Sequence, residues 1–204
     1  MIKVLDYGSG NVKAITNIYK RMNVPCGIAS NVTELAEADR IIVPGVGAFD
    51  QTMILLERSG MLETLNEMVV GRNVPVLGIC VGMQVMASAS EEGRRAGLGW
   101  INGVVRRIDT TELTHKPSLP HMGWNSIRTT TPHPVFHEVD LTKGFYFLHS
   151  YCFSCEDERN VIATSRYGNE VTAAVNSGNV FGMQFHPEKS HSNGIAVFKN
   201  FAEI

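Results

Sequence analysis

No stretch of this sequence approaches the ~18 consecutive apolar residues that a membrane-crossing helix requires, so no membrane partner is expected. Cysteine is scarce as well. Cys26, Cys80, Cys152 and Cys155 are the only four in 204 residues, too few for a small fold held by disulfides. The opening MIKVLDYGSGN lacks the unbroken apolar run of a signal peptide, because Asp6 interrupts it. A reduced, cytoplasmic protein is the expectation. Basic clusters are missing too: 18 Lys and Arg are dispersed along a chain of net charge -2, which speaks against a nucleic-acid partner. There is no internal repeat, no low-complexity segment and no linker, so residues 1–204 read as one domain. What remains is an ordinary globular balance, 44% hydrophobic and 19% charged, enough for one sizeable core.

Short apolar runs alternate with helical patterns up to Ala89. Strands are expected at Lys3–Asp6, Cys26–Ala29, Ile41–Val43 and Pro75–Ile79. Val12, Ile15, Ile18, Tyr19 and Met22 fall on one helical face, with Asn11 as its N-cap. Further helices are expected at Thr33–Ala38, at Phe49–Val70 with a break near Gly60, and from Met83 to Ala89. This alternation predicts a mostly parallel sheet covered on both faces, a three-layer α/β/α fold. The second half changes character. Strands at Val104–Ile108, Asn125–Arg128, Phe145–Phe153, Val161–Tyr167, Val171–Val175 and Val180–Phe185 follow with few helices between them, so antiparallel strands are added there. Asn193–Phe201 reads as a closing helix.

Three segments carry chemistry. Leu77-Gly78-Ile79-Cys80-Val81-Gly82-Met83-Gln84 places a cysteine on a strand-to-helix turn between glycines. A nucleophile on such a turn needs small neighbours, and the helix start favours a thiolate and offers N–H groups to an oxyanion. A buried cysteine among packing glycines fits the same pattern. Gly182-Met183-Gln184-Phe185-His186-Pro187-Glu188-Lys189-Ser190 sets a base and a carboxylate two residues apart. An extended backbone sends both side chains the same way, so the carboxylate can orient the imidazole toward a thiol. A surface His-Pro-Glu turn is the plainer alternative. Pro44-Gly45-Val46-Gly47 can turn a backbone amide toward developing negative charge, or serve as an ordinary loop. All three lie at C-terminal ends of expected strands, the edge where open α/β sheets place their sites.

The elbow and the Gln-Phe-His-Pro-Glu segment resemble those of the class I (triad) glutamine amidotransferases, and the resemblance runs over essentially the whole chain. Asp6-Tyr7-Gly8-Ser9-Gly10-Asn11, Pro44-Gly45-Val46-Gly47, His121-Met122-Gly123-Trp124-Asn125 and Glu188-Lys189-Ser190 look like the branch that supplies imidazole glycerol phosphate synthase. The resemblance implies that Cys80 attacks the amide of L-glutamine, His186 shuttles the proton and Glu188 orients it. The oxyanion hole would come from the Val46-Gly47 loop, with the Val46 N–H after a peptide flip, and from the Val81 N–H. Gln84 and Glu92 would hold the substrate head group, with backbone help near Ser150 and Tyr151. Ammonia would pass to a (β/α)8 cyclase subunit, as a heterodimer making imidazole glycerol phosphate and AICAR in histidine biosynthesis. Asn11, Trp124 and Lys189 would face that partner. No cofactor and no metal is implied. Val81 and Val85 stand where leucine is more typical, and Met86–Ser90 and His191–Gly194 depart from the usual pattern. The alternative partner is a sugar amidotransferase of surface polysaccharide synthesis.

Other residues carry less. Cys152 and Cys155 sit three apart in an expected strand, facing opposite ways, with no second pair for zinc. Cys26 is expected in the core, His149 either at the glutamine site or as a satisfied structural histidine, and His121 at an interface or in a loop. His115, His133, His137 and His191 have no assigned role. Gly8-Ser9-Gly10 begins like a dinucleotide fingerprint, but Lys13 occupies the third glycine position.

Overall fold

The structure, a computed structural model, describes residues 1–114 and 118–204. His115 lies outside the described residues. The N-terminal half runs β1 (Ile2–Leu5), α1 (Val12–Arg21), β2 (Cys26–Ala29), α2 (Val32–Ala36), β3 (Arg40–Gly45), α3 (Phe49–Arg58), α4 (Leu62–Asn66) and β4 (Val76–Cys80). After it come α5 (Val81–Gln84), β5 (Ala89–Ser90), β6 (Gly103–Arg107), β7 (His121–Asn125), β8 (Arg128–Thr129), β9 (Phe145–His149) and β10 (Tyr151–Cys155). The chain closes with β11 (Val161–Tyr167), β12 (Asn169–Ser177), β13 (Val180–Met183) and α6 (His191–Glu203).

The main sheet has the order β2-β1-β3-β4-β13-β12-β11-β8. Neighbours from β2 through β13 are parallel, and β12, β11 and β8 extend the sheet antiparallel. The parallel strands are apolar because helices cover both faces; every residue of β1 and β4 is buried. Strand order reverses at β1, so right-handed connections put α1 and α2 on opposite faces. Accordingly α1 packs with α6, and α2 packs with α4. Tyr19 ties the first pair together: its ring lies 5.4 Å from Phe198 and its hydroxyl donates to the Phe198 carbonyl at 3.0 Å. A second sheet, β10-β6-β5, and a two-stranded ribbon, β7-β9, complete the fold.

Four expectations need correction. The helix from Met83 to Ala89 ends after one turn. The carbonyls of Val85, Met86 and Ala87 accept instead from Leu98, Ile101 and Gly99. Phe145–Phe153 is two strands broken at Ser150, whose carbonyl accepts from Ile108 at 3.0 Å. Asn125–Arg128 is not one strand: Asn125 ends β7, Arg128 begins β8, and Ser126-Ile127 link the two different sheets, with Ser126 N–H donating to Asn125 Oδ1 at 2.9 Å. Asn11 precedes α1 but its side chain makes no capping hydrogen bond.

Candidate active site

The loops after β1, β3, β4 and β13 converge at the C-terminal edge of the parallel strands, where strand order reverses. Cys80 ends β4 with φ 55 and ψ -113, a conformation an L-residue holds only under strain. Gly82 makes that turn possible. A Cβ there would meet the Val43 carbonyl oxygen at 1.9 Å, so any side chain would push β3 away from the elbow.

The thiol is buried, and its sulfur lies 3.7 Å from the Leu148 carbonyl oxygen. His186 hydrogen-bonds Cys80 on one side, and on the other its Nδ1 lies 2.9 Å from Glu188 Oε1. Both side chains of the His-Glu pair are 3% exposed. An extended backbone does not bring Glu188 to the ring. A 3₁₀ turn over Pro187–Lys189 does, fixed by the Ser190 hydroxyl donating to the His186 carbonyl at 2.7 Å. Burial alone would lower the imidazole pKa. The hydrogen bonds to Cys80 and Glu188 and their charges outweigh it and raise the pKa to about 9. An imidazolium beside the sulfur is the arrangement that sustains a thiolate nucleophile.

A pocket of about 250 Å³ opens over the sulfur, the size for a small metabolite. It brings together Cys80, His186, Val46, Gly47, Val81, Gln84, Glu92, Ser150 and Tyr151. Glu188 stands behind His186, outside the lining. Gln84 donates to the Tyr151 carbonyl and to Gln184 Oε1, both at 3.0 Å. Glu92 Oε2 accepts from the Phe49 N–H, the start of α3, at 2.8 Å. The first N–H groups of a helix have no partner within it, which leaves that of Val81 beside the sulfur for a ligand. The Val46 N–H is engaged elsewhere: it donates to Ser9 Oγ at 3.0 Å, and that hydroxyl donates back to the Val46 carbonyl at 3.0 Å.

A sequence model of the family described as glutamine amidotransferase class-I matches residues 3–204. The chain belongs to that family. Among curated relatives of this amidotransferase, "Imidazole glycerol phosphate synthase subunit HisH" of Bdellovibrio bacteriovorus is 47% identical over all of both chains. The protein of the same name from Leptospira borgpetersenii is 44% identical over all of both. Among solved structures, PurLQS from Thermotoga maritima is 18% identical with TM-score 0.73, covering 99% of this chain and 97% of that one. That likeness concerns the fold.

The candidate site of this amidotransferase also contains residues that the sequence did not single out. Gln184 is fully buried and points its amide N–H at Cys80 Sγ, 3.8 Å away. Its spacing of two from His186 was the available signal. Ser9 carried no signal, because its contact to Val46 joins two loops. His149 does line the pocket. His121, expected at an interface or in a loop, is instead buried in β7. Asn11, Trp124 and Lys189 lie outside the pocket on the surface. Trp124 stacks on His191 at 5.2 Å, and Lys189 Nζ lies 5.4 Å above the Tyr146 ring. Cys26, Cys152 and Cys155 are half-buried and free, their thiols pushed up by burial to about 11, 11 and 12. No group of three His, Cys, Asp or Glu among the described residues is placed to hold a metal ion. No described helix is long and apolar enough to cross a membrane.

Proposed function

We propose that this chain is one glutaminase domain that hydrolyses L-glutamine and delivers the ammonia to a (β/α)8 cyclase subunit of imidazole glycerol phosphate synthase, in the cytoplasm. The observation that carries the chemistry is His186, buried between Cys80 and Glu188 beneath a pocket sized for an amino acid. Cys80 Sγ attacks the side-chain amide carbon of glutamine. The resulting oxyanion accepts from the Val81 N–H. His186 gives its proton to the departing nitrogen, releasing ammonia and leaving a glutamyl thioester. Water then gives a proton to His186 and its hydroxide attacks the thioester, the C–S bond breaks to release glutamate, and the thiolate beside protonated His186 is restored. Gln84, Glu92 and the backbone at Ser150 and Tyr151 hold the amino-acid head group. No cofactor enters any step.

The second oxyanion donor is the Val46 N–H, once its peptide turns away from Ser9. Loss of one such donor slows acyl transfer by ~10²–10³, so the resting chain is slow. Exposed Val46 and Leu148 line the pocket, and exposed Met122 and Trp124 continue the apolar face along the ribbon that carries Leu148. Such a cluster suits a partner that covers the mouth and keeps ammonia from water. Asn11, Trp124 and Lys189 belong to that docking face. The names of full-length relatives favour the histidine-pathway synthase over a sugar amidotransferase.

The test is glutamate release by the chain alone, then with the cyclase barrel and its nucleotide ligand. Strong stimulation, abolished by Cys80→Ala, is expected. Glutamine hydrolysis surviving Cys80→Ala would overturn the mechanism. No stimulation, with Cys80 still labelled by a glutamine-like electrophile, would keep the glutaminase and exchange its partner.

A further inference from the structure

A chain of hydrogen bonds on the inner face of the β7-β9 ribbon has only one self-consistent direction. Tyr151 O can only accept, and His149 Nδ1 lies 2.8 Å from it, so Nδ1 carries the proton. The other nitrogen of a neutral ring is then an acceptor. His121 Nδ1 lies 2.9 Å from His149 Nε2 and must donate to it. His121 Nε2 is left to accept from Asn125 Nδ2 at 3.1 Å. The orientation of the Asn125 amide is fixed independently: its oxygen accepts from Ser126 N–H at 2.9 Å, and its nitrogen donates to the Arg166 carbonyl at 2.9 Å. Both ends of the chain therefore impose the same direction.

The surroundings support neutral rings. His121 is stacked between Phe147, at 4.6 Å, and Tyr167, at 4.2 Å. Burial pushes its pKa down to about 4 and that of His149 to about 3. A proton on His149 Nε2 would face the His121 Nδ1–H and break the chain.

At its inner end the chain meets the pocket. Tyr151 O, held by His149, also accepts from Gln84 Nε2 at 3.0 Å, and the same Gln84 nitrogen donates to Gln184 Oε1 at 3.0 Å. Those two bonds fix which way the Gln84 amide faces. We propose that His121 and His149, both neutral with the proton on Nδ1, are positioning residues that fix the Tyr151 carbonyl and, through it, Gln84 for glutamine binding. The role is indirect for His121, which reaches the pocket only through His149. The inference rests on the glutamine reading of the pocket.

Two measurements on the full chain in its complex with the cyclase barrel test it. Long-range ¹H–¹⁵N spectra report imidazole tautomers, and both rings should show a protonated Nδ1 and a bare Nε2 at pH 7. An Nε2–H tautomer or a doubly protonated ring at either position would overturn the proposal. In kinetics, His121→Phe keeps the stacking and removes the donor. It should raise KM for glutamine ~tenfold or more, where ~1.4 kcal/mol is tenfold, with a smaller change in kcat. His121→Asn places an amide N–H near the position of Nδ1 and should recover most of that loss. An unchanged KM in His121→Phe, or a folded His121→Asn no better than it, would refute the role. Should His121→Phe fail to fold, the wild-type spectrum and His121→Asn still decide. A wild type that releases no glutamate at all would overturn the glutamine reading itself, and so is distinguishable from these results.

Discussion

His186 sits where two opposing effects meet, and its partners decide the outcome. Burial disfavours the imidazolium, while Cys80 and Glu188 favour it more and hold its pKa near about 9. Glu188→Gln keeps an acceptor beside Nδ1 but removes the charge. The His186 pKa should fall, and glutamate release should drop by roughly 10² or more, within the range for a lost acid–base element. A pH profile of Cys80 labelling checks the first effect and a glutaminase assay the second; unchanged values would remove Glu188 from the mechanism. The buried histidines also shape stability. His121 and His149 have folded pKa values of about 4 and about 3, beneath the ordinary 6.5. Below 6.5 the unfolded chain therefore binds protons that the folded chain refuses. Their contribution is full above 6.5 and is lost as pH falls toward 4 and 3. His186 acts in the opposite sense: its contribution is full below 6.5 and is lost as pH rises through about 9. Thermal melts from pH 4.5 to 10 should show a falling Tm on both flanks, the acid flank shallower in His121→Asn. A Tm flat across that range would contradict both shifts.

Elements here succeed or fail by backbone contact. The elbow joining β4 to α5 lies against β3, and only glycine fits at position 82. Gly82→Ala should destabilise the chain by about 3 kcal/mol or more, the scale of overpacking against rigid neighbours. Gly60→Ala is the control. Its φ of +71 strains any side chain, but nothing lies within 4 Å, so about 1–2 kcal/mol is expected. Denaturant titration of the two variants should rank them in that order, and a harmless Gly82→Ala would refute the close packing. The same contacts explain what could be read from sequence. Most of the parallel strands were legible because a short apolar run ends near glycine or proline, as at Ile41–Gly47; β2, followed by Ser30-Asn31, is the exception. The elbow was legible for a similar reason; the pairing of His186 with Glu188 was legible too, but not its 3₁₀ turn, since an extended backbone was expected there. The helix expected after Gln84 was not, because its carbonyls are claimed by residues 98–101, a pairing no local pattern encodes. Nor was the break at Ser150, since Phe145–Phe153 alternates like one strand while its halves join different sheets.

Over the whole molecule, exposed Val46 and Leu148 line the pocket, and exposed Met122 and Trp124 lie on the same ribbon as Leu148. Met122 pairs with Leu148 across the β7-β9 ribbon and Trp124 with Tyr146, so the outer face of the ribbon presents a row of apolar groups. Trp124→Ala should weaken association with the cyclase barrel by tenfold or more, as loss of a central aromatic anchor does. Titration calorimetry of the two subunits checks this, and an unchanged affinity would move the docking face elsewhere. The proposed reacting groups are mounted next to each other in the sheet. Cys80 ends β4 and His186 follows β13, and these strands are hydrogen-bonded neighbours with Gly182 opposite Gly78 and Met183 opposite Ile79. His186 follows the end of β13 three residues on, and the two strands are one lattice step apart, ~4.8 Å. That spacing is a property of the peptide unit itself. The loops after β1 and β3 can be lengthened, shortened or exchanged for a new client without moving the two strands that lead to Cys80 and His186.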